Sequence, residues 1–409
     1  MKKVKDFLKV FGPGLITGAS DDDPSGIATY SQAGAKFGLA TLWTAIITFP
    51  LMAAIQEVCA RIGLVTKQGL AGVIKKHYPR WILIVLVVFS VPAIIMNIGA
   101  DIAGMGAVSN LLVPDIPADM FSFFFAFLLI ITLILFPYKK IAMVMKWLCV
   151  SLLLYLVIPF LIESNWLEIL KNAVIPQIKF NKDFLLILIG ILGTTISPYL
   201  FFWQASVEVE EKGSKKVVVD KKLIHEMHQD VDIGMLFSNL VMFFIILTTG
   251  SVLFKNGITE INTVEEAARA LAPLAGDMAY LLFAIGVIGT GFLAIPVLAG
   301  SLSYIITEAF GWREGLNKKF HQARAFYLII IVSVVIGLGL NFIGISPVKA
   351  LIYSAILYGI TSPVLIAIIL HVANNKKIMG QYKSGYVSNT LGIIALIFMT
   401  AAVVALFIL

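Results

Sequence analysis

The sequence predicts an all-α polytopic membrane protein: 11 transmembrane helices containing an inverted five-helix repeat, with helices 1 and 6 broken. Three observations carry that prediction. The chain is 59% hydrophobic with only 13% charged residues, and its mean hydropathy of +0.94 lies far from the balance of a water-soluble domain. Its apolar residues gather into runs long enough to cross a hydrocarbon core of about 30 Å, which takes roughly 20 helical residues. Two of those runs are interrupted at corresponding places in the two halves, by Asp23-Pro24 and by Ser197-Pro198. Paired interruptions of this kind indicate a repeat whose binding site sits where the helices unwind.

Residues 1–10 are basic and lead into the first span without a small-residue cleavage site, so they read as a cytoplasmic N-terminus with no removable signal peptide. The first span, 11–33, contains Gly18-Ala19-Ser20-Asp21-Asp22-Asp23-Pro24-Ser25-Gly26. An intact helix should not survive there, because proline removes a backbone donor and clashes with the preceding turn, and charge in hydrocarbon is costly. Spans 39–61, 81–110, 119–137 and 144–162 complete the first repeat, 11–162, and 163–182 reads as an outer loop. The second repeat, 183–371, holds spans 184–207, 232–254, 278–308, 325–343 and 347–371. Its first span breaks at Gly193-Thr-Thr-Ile-Ser-Pro-Tyr-Leu200. Pro92 with Pro296, and Pro159 with Pro363, repeat the correspondence in the third and eighth and in the fifth and tenth spans. An inner loop and an eleventh span at 386–409 occupy 372–409.

The net charge of +7 invites a nucleic-acid reading, which its distribution excludes. With the N-terminus inside, the outer loops hold only Lys36, Lys171, Lys179, Lys182, Lys255, Arg269 and Lys349, and all other lysines and arginines fall in inner segments. That asymmetry sets the orientation in the plasma (inner) membrane and leaves the C-terminus outside. The two cysteines, Cys59 and Cys149, lie within spans and read as packing residues. No glycine-rich phosphate loop, catalytic triad spacing or His-Glu-x-x-His helix occurs, so neither an enzyme nor a cofactor is expected. The expected partners are a metal ion and the lipid bilayer, with the chain a monomer or weak oligomer. The longest inner loop, Glu208 to Gln229, contains His225-Glu-Met-His228 beside Asp230. Its spacing could suit a regulatory metal, but a solvated amphipathic loop helix is the better reading. In the outer loop from Asn256 to Asp277, Thr263-Val-Glu-Glu predicts a short capped helix.

Unwinding frees carbonyls that would otherwise accept helical hydrogen bonds, and the C-terminal end of a half-helix carries partial negative charge. Carboxylates added there make a site for a cation. Asp23, directly before Pro24, is the favoured ligand, with Asp21 and Asp22 as vestibule or gate residues on other faces. Thr194, Thr195, Ser197 and Tyr199 give the sixth span hydroxyls, although small polar residues also serve helix packing. All five histidines, His77, His225, His228, His321 and His371, fall in or beside inner loops, leaving neither sulfur nor imidazole at the break. A hard oxygen set suits magnesium, calcium or manganese, and a sparse one suits magnesium. Asp101 lies deep enough in the third span to belong to an ion or proton path. Glu57 and Glu308 lie near inner helix ends, where Glu57 reads as an ion-pair partner of Arg61.

Asp23-Pro24-Ser25-Gly26 resembles the Asp-Pro-Gly-Asn motif of the NRAMP divalent-metal transporters, and Ile196-Ser197-Pro198-Tyr199 falls where that family has Met-Pro-His-Asn. Gly12-Pro13-Gly14, Ala60-Arg61-Ile-Gly-Leu-Val-Thr66 and Gly311-Trp-Arg-Glu-Gly315 extend the likeness over nearly the whole chain. It implies an amino-acid/metal symporter-like fold and import by alternating access. Departures from the family pattern are Gly26 for asparagine, Ser197 for methionine, Tyr199 and Gln204 for histidines, Gly104 for a third-helix glutamate and Ala355 for a tenth-helix glutamine. They resemble the NRAMP-related magnesium transporters, with a wider site for a largely hydrated ion. The resemblance implies Mg²⁺ import, Mn²⁺ also accepted, with weak or no proton coupling. Its metal residues would be Asp23, Gly26, Thr194, Ser197 and Tyr199, with Asp101, Asp22 and Gln204 on an ion or proton path. The alternatives are a proton-coupled Mn²⁺ or Fe²⁺ importer using Asp101, an amino-acid or organic-cation transporter, and a membrane metal sensor signalling through 208–229.

Overall fold

The computed structural model describes residues 12–136, 140, 144, 160, 165–213, 219–269 and 279–408. Where the first span was expected, two short helices meet: α1 (Pro13–Asp21) and α2 (Pro24–Phe37). They are followed by α3 (Trp43–Thr66), α4 (Leu70–His77), α5 (Arg80–Leu112) and α6 (Ala118–Leu135). The fifth expected span, 144–162, lies almost wholly outside the described residues. Next come α7 (Trp166–Val174), then α8 (Lys182–Thr195) and α9 (Pro198–Gly213), which divide the sixth span as expected. The remainder is α10 (Lys221–Val252), α11 (Val264–Ala268), α12 (Ala279–Phe310), α13 (Arg324–Leu340), α14 (Pro347–Asn374), α15 (Lys376–Met379) and α16 (Tyr386–Ile408). Among the described residues there is no strand, and eight helical stretches are long and apolar enough to cross a membrane.

Two expected loops are helical. Segment 166–174 buries Ile169 and Ala173 while exposing Leu167 and Leu170, and Asn165 caps it by accepting from the Glu168 N–H at 3.2 Å. The inner segment 208–229 is helical over most of its described residues, in keeping with the amphipathic helix read there, and its helices are continuous with the neighbouring spans. α9 continues to Gly213, and Asp220 caps α10 by accepting from the Leu223 N–H at 2.7 Å, so His225 and His228 ride on a long helix. His228 faces Asp232 at 3.1 Å, and among the described residues no cluster of three acidic, histidine or cysteine side chains could hold a metal. The capped outer helix is present, with the Glu266 N–H donating to Thr263 Oγ1 and the Thr263 N–H to Glu266 Oε2, both at 3.2 Å. Glu57 pairs with Arg61 at 2.5 Å as the four-residue spacing suggested.

The two broken helices are held in different surroundings. α1 packs along α10 so closely that a methyl group at Gly18 would overlap the backbone of Gly234. Contact of this kind replaces the missing hydrophobic drive between helices in lipid. Asp230 strengthens it by accepting from the N–H groups of Gly12 and Gly14, both at 2.7 Å, which satisfies donors that α1 leaves open at its N-terminus. α8 packs along α14, where Gly193 meets the backbone of Ala355 in the same way. α5 lies against α12, α13, α14 and α6, and so brings its middle toward the first break.

Gly18→Ala should lower the unfolding temperature in detergent, since overpacking a tight crossing costs about 1–3 kcal/mol. Gly286→Ala, with open space around the new methyl group, is the control and should not. Equal melting of the two variants would count against the α1–α10 crossing as described.

Candidate metal site

α1 stops at Asp21 because Asp22 turns out of the helix (φ −84°, ψ 49°) and Pro24 has no N–H to continue the ladder. Pro24 then starts α2, with Asp23 as the cap before it. Both oxygens of the Asp23 carboxylate accept hydrogen bonds: Oδ1 accepts from the Gly26 N–H at 2.6 Å and the Ser25 hydroxyl at 2.7 Å, and Oδ2 accepts from Asn97 Nδ2 at 2.8 Å. Asn97 Oδ1 in turn accepts from the Ser354 hydroxyl at 2.9 Å. Three helices, α2, α5 and α14, therefore converge on one acid.

At the second break the hydroxyls mostly serve the backbone. Ser197 donates to the Thr194 carbonyl at 2.5 Å and the Gly193 carbonyl at 2.9 Å, and Ser362 on α14 donates to the Ile196 carbonyl at 2.9 Å. Tyr199 reaches the first break and donates to the Ser20 carbonyl at 2.9 Å, tying α9 to α1. Thr194 faces the first break as well. A Cβ built on Gly26 would stand 3.0 Å from Thr194 Oγ1, 3.1 Å from the Asp21 carbonyl oxygen and 3.4 Å from Asp23 Oδ1. A side chain at position 26 would crowd these three oxygens, which come from both breaks.

The structure thus brings Asp23, Gly26 and Thr194 together. It places Ser197 and Tyr199 beside them as residues that fix the breaks. Asp101, one turn along α5 from Asn97, is fully buried, and neither carboxylate oxygen accepts a hydrogen bond. Gln204 lies further along α9, accepting from the Thr17 hydroxyl at 2.5 Å and donating to Glu208 at 3.3 Å. Asp22 turns with Asp21 toward Ser238 of α10. Sequence reasoning did not single out Asn97, Ser354 or Ser238. For Asn97 a signal was present in its four-residue spacing from Asp101, which puts both on one helical face.

On the side facing the basic loops lies a cavity of about 1350 Å³, lined by Lys67, Lys75, Glu210, Glu308, Glu314 and Lys318 among others. Two carboxylates close α9 against α12 there. Glu308 accepts from the Ser206 hydroxyl at 2.7 Å and the Gly72 N–H at 2.8 Å, while Glu210 accepts from the Tyr304 hydroxyl at 2.7 Å and the Asn317 N–H at 3.2 Å. Glu314, in the loop after α12, accepts from the Thr307 hydroxyl at 2.9 Å. Burial pushes its carboxyl up to about 7, against the pull of that hydrogen bond. A second cavity, walled by Pro24, Ile27, Gly104, Val108 and Leu351, adjoins the opposite side of the break and is apolar.

Because the folded loop prefers protonated Glu314, its stability should be greatest at acid pH, fall between about pH 5 and pH 7, and level off above. Amide-exchange protection of residues 311–317 should follow that course, and Glu314→Gln should flatten it. A protection profile that rises over this window would contradict the assignment.

Known proteins sharing this architecture bear on what the site does. The family model for natural resistance-associated macrophage protein-like proteins matches residues 14–409. The chain is 24% identical over 398 residues to the divalent metal cation transporter MntH of Caldanaerobacter subterraneus subsp. tengcongensis, covering 96% of this chain and 91% of that protein. It is 24% identical over 385 residues to the divalent metal cation transporter MntH of Bacillus subtilis, covering 93% of this chain and 88% of the relative. Among solved structures, the Eremococcus coleocola manganese transporter in complex with an aromatic bis-isothiourea compound superimposes with a TM-score of 0.74 at 20% identity, over 96% of this chain and 84% of that one. MhsT in complex with L-phenylalanine gives a TM-score of 0.62 at 12% identity, over 97% of both chains.

Proposed function

This chain belongs to the Nramp family of integral membrane divalent metal cation transporters, and we propose that it imports a hard divalent ion by way of the oxygen donors at the two helix breaks. The observation that carries this reading is the donor set. Asp23 Oδ1, the Asp21 carbonyl and Thr194 Oγ1 all lie within 3.4 Å of the side-chain position of residue 26, and the sequences of the two breaks, 18–26 and 193–200, carry neither methionine nor histidine. Oxygen donors of this kind suit Mn²⁺ and Mg²⁺ and give no preference for softer metals. Acceptance of Mg²⁺ draws its support from that chemistry alone, since the relatives are named for divalent metal cations or manganese. An inside-negative potential would supply about 4.6 kcal/mol per 100 mV to a divalent ion, twice the single-charge value.

A second reading, a proton-coupled Mn²⁺ importer, has a specific observation in its favour and agrees better with the relatives. Asp101 is buried close to the Asp23 network with both oxygens unbonded, which is the condition of a carboxylate able to take a proton. An amino-acid substrate fits less well, because Asp21, Asp22 and Asp23 at the first break would repel its carboxylate. The sensor reading depended on a long inner loop, and that segment is mostly helix.

Uptake into proteoliposomes tests both. Mn²⁺ should enter the wild type, and Asp23→Ala should cut the initial rate at least about tenfold, as expected for loss of a charged contact worth about 1.5–3 kcal/mol. If millimolar Mg²⁺ competes and entry does not acidify the lumen, the magnesium-accepting carrier stands. If Mg²⁺ has no effect and acidification accompanies Mn²⁺, with Asp101→Asn abolishing it, the proton-coupled importer stands instead. Unchanged uptake by Asp23→Ala would overturn the site itself.

A further inference from the structure

The large cavity on the face that carries the basic loops gathers cations that have no partner. Lys67, Lys75, Lys76 and Lys318 all line it, and among the described residues none of the four pairs with a carboxylate. The acids of the same wall are engaged otherwise. Glu308, Glu210 and Glu314 accept from hydroxyl and backbone groups that join the surrounding segments. Basic loop residues orient a membrane protein merely by lying on this side of it. That role requires neither a common cavity nor any particular backbone conformation.

Lys67 ends α3 in the left-handed region (φ 55°, ψ 30°), where glycine is the usual residue because it has no Cβ to strain. Among the described residues it is the one non-glycine residue with positive φ. Lysine there strains the backbone and sets an ammonium group at the cavity wall. Lys75 comes against a second turn: Gly311 adopts φ 75°, and a Cβ built on it would stand 3.1 Å from Lys75 Nζ. The next residue, Trp312, also lines the cavity. Phe310 stacks on its ring with centroids 4.8 Å apart and an interplanar angle of 16°, yet Trp312 remains 48% exposed. Ammonium groups and a partly open aromatic ring thus border one space.

Cations without acceptors, beside a ring able to stack, complement a ligand that carries both phosphate and a planar base. The volume of about 1350 Å³ is ample, since pockets for small ligands commonly measure about 300–1,000 Å³. We propose that this cavity binds a nucleoside polyphosphate, with Lys67, Lys75, Lys76 and Lys318 toward its phosphates and Trp312 against its base. The lysines alone would serve any phosphate, an anionic lipid headgroup included, and the aromatic ring is what favours a nucleotide. Its occupant would bridge segment 67–76 and loop 311–318 across the cavity. The site is separate from the helix breaks, so it stands whichever divalent ion the chain carries.

Titration calorimetry on the purified full chain tests this, with ATP as the probe, inorganic triphosphate in a parallel series and EDTA present to remove metal ions. The wild type should bind one ATP per chain, more tightly than triphosphate. Lys75→Gln combined with Lys76→Gln should weaken both ligands at least about tenfold, whereas Trp312→Ala should weaken ATP about tenfold and leave triphosphate unchanged. Lys67→Gly should weaken ATP without lowering the unfolding temperature, because glycine suits the left-handed position. No ATP binding by the wild type, or wild-type affinity in the lysine variants, would overturn the site. A Trp312→Ala variant that binds ATP as before or loses triphosphate equally would overturn the nucleotide as its occupant. So would ATP binding abolished when phosphatidylglycerol replaces phosphatidylcholine in nanodiscs, which would assign the lysines to a lipid headgroup.

Discussion

The carboxylate of Asp23 is the contact on which the interior of this protein depends. It caps the half-helix α2 through Gly26 and Ser25, and through Asn97 it draws in α5 and α14. An ionised carboxylate buried without such donors would be costly in a membrane interior, and with three donors Asp23 becomes the point to which separate helices are fixed. Capping also explains why the helix breaks where it does. Pro24 removes a bond that α1 would need, and Asp23 supplies the bonds that α2 needs. An ion arriving at this acid therefore meets a carboxylate already oriented by the protein, with lone-pair capacity left on Oδ2 beyond the single bond from Asn97.

Around that centre, contacts divide into those made by shape and those made by polar groups. Crossings such as Gly18 with Gly234 leave no room for sliding, so α1 and α10 form one unit, further tied by Asp230 to the start of α1. By contrast, α9 meets α12 near the basic loops through carboxylate, hydroxyl and backbone groups beside a wide cavity. Polar contacts at the edge of a water-accessible space exchange for water at little net cost, whereas close backbone packing has no such substitute. Relative motion in the molecule should accordingly concentrate at the α9–α12 boundary and spare the α1–α10 crossing.

Much of this was legible in the sequence, for identifiable reasons. Proline and charge inside an apolar run have few tolerable conformations, which is why the breaks at Asp23-Pro24 and Ser197-Pro198 could be placed. Asp23, Gly26 and Thr194, named from the sequence as candidate metal residues, lie next to one another. What the sequence concealed were partners that look ordinary within their own helices. Ser354 and Ser238 are small polar residues of the kind that pack membrane helices everywhere, and only the arrangement of α10 and α14 brings them to acids of the first break. The segment 208–229 carries the helix read there, but that helix runs on into the neighbouring spans for a related reason. Hydropathy marks where apolar character ends, while helices continue past that point as long as no breaker or cap stops them.

The glycine at position 26 belongs both to the helix start and to the proposed metal site. In a helix start, any larger residue could have satisfied the backbone, since the capping bond uses only the Gly26 N–H. Its missing side chain instead avoids crowding Thr194, Asp21 and Asp23. Serine at position 197 has a parallel effect at the other break. Its hydroxyl folds back onto the carbonyls of Gly193 and Thr194, so it presents little bulk to the space between the breaks. Two positions that could have carried long donor side chains are thus kept short, one at each break. A metal ion bound there would complete its shell with water, and an ion that holds its water strongly loses the least by entering such a site.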